Sequence, residues 1–180
     1  MPRAITDLRS RILNQIRLLQ SQPLHLLLFA LERRKQDFHD WVEALWKHVG
    51  RLESKTGMTP WHENPSQAIS SLESDAMTDL LQNLHAVGVE LRLAKTLMTF
   101  AAELGKQFIT TAKRLEAFRA DIGAEQLKPG VKVELELQVE YNAMILDSLR
   151  VKILELLGRT NAQINVVSFQ HIQVFRHQGD

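Results

Sequence analysis

The chain contains no cysteine, and only 8 glycines and 5 prolines among its 180 residues. Without cysteine there is no disulfide, no thiolate nucleophile and no cysteine-ligated zinc. That agrees with a reducing, cytoplasmic setting. Scarce glycine and proline mean few interruptions, so the regular segments must be long. Charge of one sign is also lacking, since 22 Lys and Arg stand against 21 Asp and Glu for a net charge of +1. A nucleic-acid-binding domain usually shows a strongly basic face, and this balance gives that class no support. Long apolar runs are missing too. In "LHLLLFAL" (24–31) the unbroken stretch from Leu26 to Leu31 is six residues, whereas a membrane-spanning helix takes about 20. No membrane span is expected in this chain.

What is present is globular in composition: 44% hydrophobic and 24% charged residues, enough for one core in one domain covering residues 1–180. Periodicity divides that domain into helices. Ile5, Leu8, Ile12, Ile16 and Leu19 fall at helical spacing, predicting a first helix over about 4–21. Arg3, Arg9, Arg11 and Arg17 against Asp7 make it an arginine-rich amphipathic segment. Organelle presequences look similar, so a mitochondrial leader is the alternative reading of this stretch.

Pro23 suits the first turn of a second helix, where its missing N–H costs nothing. That helix is predicted over about 24–54, with Leu27, Leu31, Phe38, Trp41, Val42, Leu45, Val49 and Leu52 as its apolar stripe. The block "LHLLLFAL" is then the buried start of an amphipathic helix. "KTGMTPWHENPS" (55–66) reads as a loop, and Ser70 with Glu73 has capping-box spacing.

The third predicted helix, about 72–122, has the strongest period. Leu80, Leu84, Val87, Leu91, Ala94, Met98, Ala101, Gly105, Phe108, Ala112, Leu115, Arg119 and Ile122 alternate steps of four and three. Such a 3.5-residue repeat is the seam of a helix packed along another long helix. At 1.5 Å per residue the helix would be about 75 Å long, so an elongated bundle is expected. Ala101 and Gly105 are read as small residues that let a neighbouring helix come close.

"GAEQLKPG" (123–130) is the next turn. After it "VKVELELQV" (131–139) alternates apolar and polar residues, a strand pattern taken locally. No other segment offers it a partner, and a lone strand leaves its backbone unpaired. It is therefore read as the start of a last helix over about 131–178, continued by Ile145, Leu149, Ile153, Leu156, Ile164, Val167 and Val174. The expected fold is all-α: an elongated antiparallel bundle or coiled coil of three to four long helices.

A search for chemistry returns little. The seven histidines (His25, His39, His48, His62, His85, His171, His177) form no HExxH pair or other compact ligand spacing. His39 and Asp40 are neighbours in sequence and should point in different directions on a helix. "WHE" at 61–63 could hold a metal or a partner, but the preferred reading is an ordinary polar loop with an anchoring Trp61. Arg33, Arg34 and Lys35 read as a solvated helix face. No nucleophile elbow or glycine-rich phosphate loop is present. No catalytic, cofactor-binding or metal-ligating residue is assigned, and the chain is not expected to be an enzyme.

Taken in order, three stretches resemble the helical cytosolic stalk of CorA-like divalent-cation transporters, particularly the divergent fungal members. They are "PLHLLLFALERRKQDFHDWVEALWKHVGRLE" (23–53), "LLQNLHAVGVELRLAKTLMTFAAELGKQF" (80–108) and "YNAMILDSLRVKILELLGRTNAQINVV" (141–167), with Arg159, Thr160 and Asn161 at the polar stretch that precedes the membrane in that family. The resemblance implies subunit assembly or Mg2+-linked regulation and a homo-oligomer in a membrane-proximal position. After Val167 the chain reads "SFQHIQVFRHQGD", without the family's membrane helix or its Gly-Met-Asn signature, so pore and transport are not implied. The alternative from the leucine pattern alone is a coiled-coil adaptor whose exposed stripe binds a partner helix.

Overall fold

The computed structural model describes residues 25–57 and 74–178. Among them are three α-helices and no strand: α1 (His25–Thr56), α2 (Ser74–Asp121) and α3 (Pro129–Gln178). The all-α expectation holds, and the alternating stretch 131–139 is helical. The segment predicted as a first helix (4–21), the Trp61–Glu63 loop and the Ser70–Glu73 capping box lie outside the described residues.

Local chemistry sets the helix ends. Gly57 and Gly123 both have φ of +67°, a left-handed conformation that glycine adopts without steric cost. At Gly123 the α2 terminus is a Schellman cap. Gly123 N–H donates to the Ala120 carbonyl at 3.2 Å and Ala124 N–H to the Arg119 carbonyl at 2.9 Å, which satisfies carbonyls left over by the last turn. The loop that follows is tied down by Leu127 N–H, which donates to the Glu116 carboxylate at 3.1 Å. Pro129 opens α3 two residues before the predicted start. A proline at the first helical position gives up only an N–H that would have no intrahelical partner, and Val131 and Lys132 N–H both donate back to the Lys128 carbonyl.

The three helices contribute to two compact units. The first combines the start of α1 through Phe38 with α2 from Met98 and α3 as far as Ser148. Its core is Leu28, Phe108, Ala112, Leu135 and Val139, with half-buried Ile109 against it. Contacts fix the chain directions here. Lys35 of α1 lies over Tyr141 of α3, beyond the level of Leu28 and Leu135, so α1 and α3 run parallel. α2 runs against α3: Gly105 lies beside Val139, whereas Lys113 pairs with Glu136 and Glu116 with Leu127. The topology is up, down, up.

The second unit takes α1 from His39, α2 up to Leu97 and α3 from Leu149. Val42, Leu45, Val49 and Leu52 of α1 are buried, as are Met77, Leu80, Leu84, Val87, Leu91 and Ala94 of α2 and Leu149, Ile153, Leu156 and Val167 of α3. Steps of three and four recur on every helix. They keep one stripe per helix inward, the geometry of helices packed at small crossing angles.

Several stripe positions differ from expectation. Leu27 is exposed while Leu28 is buried. Trp41, Ile145 and Ile164 are half-buried. The α2 seam, expected to reach Ile122, is buried only to Ala112: Leu115 and Arg119 are half-buried and Ile122 is exposed. Past Ala112 the chain nears its turn, and α3 begins only at Pro129. Gly105 is buried, yet a Cβ placed there would meet Val139 Cγ1 at 3.6 Å, an ordinary van der Waals contact. The helices there do not approach closely enough to demand glycine.

Candidate interaction surface

Filling the core does not use all the large apolar side chains. In the first unit, α3 carries Val133, Leu137, Tyr141 and Met144 outward while Leu135, Val139, Asn142 and Leu146 face in. The strand-like alternation of 131–139 is thus a helix with two apolar faces, one buried and one open. α2 leaves Phe100 and Leu104 exposed in the same unit. In the second unit the exposed set is Trp46 on α1, Val89, Leu93 and Leu97 on α2, and Val151, Leu154, Phe169 and Ile172 on α3. A solvated helix face normally alternates charged and polar residues; these rows depart from that.

The second unit also holds a polar cluster. Glu53, buried near the end of α1, receives a two-pronged contact from Arg159 of α3. Nε donates to one carboxylate oxygen at 2.7 Å and NH2 donates to the other. Arg159 also lies 3.6 Å from Glu155, and its guanidinium sits 4.8 Å from the centre of the Trp46 ring. The hydrogen bond to Glu53 raises the Arg159 pKa above the ordinary arginine value, against partial burial, which lowers it. Both residues flank core positions: Glu53 follows Leu52 and Arg159 precedes Thr160. In a parallel helix pair these flanking positions face each other, a signal present in the sequence but not joined there into a pair. A planar fork held by a buried carboxylate, with an indole 4.8 Å away, ties the end of α1 to α3.

Inside the bundle, Thr160 and Gln163 occupy core positions of the second unit and Asn142 one of the first. Asn142 Oδ1, Thr160 Oγ1 and Gln163 Oε1 have no hydrogen-bond partner. The "RTNAQ" stretch (159–163) thus divides by direction: Arg159 to Glu53, Thr160 and Gln163 into the core, Asn161 outward.

The remaining sequence candidates are not brought together. His25 is buried, His48 half-buried and His85 exposed. Thr78 Oγ1 and His171 Nε2 are 3.3 Å apart. His39 and Asp40, expected to diverge, come within 3.8 Å, both side chains lying at the exposed surface. Arg33 and Arg34 both reach Asp37, at 3.3 and 3.7 Å, within their own helix. Among the described residues no three His, Asp or Glu side chains are grouped so as to hold a metal ion. No described helix is long and apolar enough to cross a membrane. No protein-family model, curated protein or solved structure matches this chain. Fold class and surface are therefore the basis for function.

Proposed function

We propose that the chain is a non-catalytic helical assembly module, which presents apolar rows on a packed three-helix scaffold to the helices of a partner. One observation carries this reading: a core with three-and-four spacing on each helix coexists with further large apolar side chains at helical spacing outside it. The core does not need them, and contiguous exposed apolar surface usually marks an interaction site. The likeness of residues 23–53, 80–108 and 141–167 to the stalk of CorA-like transporters supports the same role in a narrower form, subunit assembly linked to Mg2+.

The test is solution mass by light scattering across a concentration series, with magnesium and with chelator. Association that grows with concentration and is reduced by Leu137→Ser or Phe100→Ser supports the module. Magnesium dependence of that association would select the stalk form, and indifference to magnesium the adaptor form. A monomer at every concentration that also takes up no amphipathic helical peptide would sink both.

A further inference from the structure

We infer that the outer face of α3 in the first unit, residues 133–148, receives a basic amphipathic helix from a partner protein; the inference rests on the assembly-module reading. Val133, Leu137, Tyr141 and Met144 are spaced by four, four and three residues. At 3.6 residues per turn they fall within an arc of about 80°. All four are more than half exposed, at 54, 59, 53 and 61%. This is a continuous apolar ridge, and the helix's own core face lies on its other side.

Charge selects the occupant. Between residues 133 and 148, α3 carries Glu134, Glu136, Glu140 and Asp147 and no lysine or arginine. On a helix Glu136, Glu140 and Asp147 run along one edge of the ridge and Glu134 along the other. Glu136 is met by Lys113 of α2 at 3.7 Å. The one aromatic ring of the ridge already seats a cation, with Lys35 Nζ at 4.9 Å from the centre of Tyr141. A helix with an apolar row bordered by arginine or lysine would cover the ridge and set its cations against Glu134 on one edge and Glu140 on the other. A second copy docking through this same face would oppose carboxylates to carboxylates, which disfavours it.

The experiment is fluorescence anisotropy of the full chain with two synthetic peptides about five helical turns long. Both have leucines at three-and-four spacing, one with arginines along the edges of the leucine row and one with glutamates there. The basic peptide should bind and the acidic one should not. Leu137→Asp, at an exposed site that leaves the core intact, should weaken binding by about tenfold or more. Glu134→Gln with Glu140→Gln should weaken it by roughly threefold to tenfold and flatten its salt dependence. Circular dichroism of each variant should match the parent. Equal binding of both peptides would overturn the charge assignment while leaving the module reading in place. Self-association abolished by Leu137→Asp, with no peptide bound, would make the occupant a second copy and overturn the inference. A chain that binds neither peptide and stays monomeric would end both.

Discussion

Arg159 and Glu53 show how a single pair can be worth more in the breaking than in the making. Charge burial is costly for each partner alone, so removing the guanidinium strands a buried carboxylate. Arg159→Met is expected to lower unfolding free energy by about 3 kcal/mol, measured by urea denaturation. Adding Glu53→Leu should recover most of the loss, since no unpaired charge then remains. The raised Arg159 pKa sets the pH sense. A group whose pKa is higher folded than unfolded contributes fully below the unfolded value and loses that contribution only as pH rises through the folded one. The stability that Arg159 contributes as a cation should therefore stay constant from neutral pH to about pH 11, read from the parent and Arg159→Met midpoints. Two glycines separate by the same kind of reasoning. Gly105→Ala fits beside Val139 and should stabilise by up to about 1 kcal/mol through helix propensity. Gly123→Ala places a Cβ in a left-handed backbone and should cost about 1 kcal/mol or more. Thermal or urea unfolding distinguishes the two signs.

At the scale of the helix, period was the legible quantity and phase was not. The α2 stripe from Leu80 to Ala112 could be read directly, because polar residues separate its apolar positions and leave one face available. In "LHLLLFAL" apolar residues point every way, so nothing in the pattern chose Leu28 over Leu27; contact with Phe108 and Leu135 did. The alternation of 131–139 was ambiguous for the opposite reason. Leu135 and Val139 satisfy a helix core, while Val133 and Leu137 complete a strand pattern only because they occupy a second helical face. Helical structure there has a direct check: amide exchange of residues 133–139 should show the protection of an interior helix segment, with Leu135 and Val139 slowest. The seam of α2 is buried only as far as Ala112 because a heptad can persist in sequence after its packing partners have ended, as at the exposed Ile122 just past the helix.

For the molecule, fold class was readable from the rarity of breaks, and the site was not, because it is a surface property. Exposure of Leu137 or Phe100 depends on which apolar face the other helices take, and one helix's pattern does not contain that information. The Glu53–Arg159 clamp needed residues from two helices, far apart in the chain. Among the described residues the histidines join no group that could hold a metal.

Asn142, Thr160 and Gln163 have one more consequence. Helices whose inward residues repeat every seven positions can slide by one repeat, about 10.5 Å, and still bury an apolar row. Sliding is a near-degenerate error for such a chain. A polar side chain at an inward position acts as a notch: it fits one alignment and spoils its neighbours, at some expense of stability. Each of the three leaves an oxygen unsatisfied, so replacing them with leucine or valine should raise the melting temperature. The same replacement should broaden the distribution of alignments, visible as extra resonances in NMR spectra of the altered chain. The residues that look like defects in the core would then be what gives the bundle a single answer to the question of which turn lies beside which.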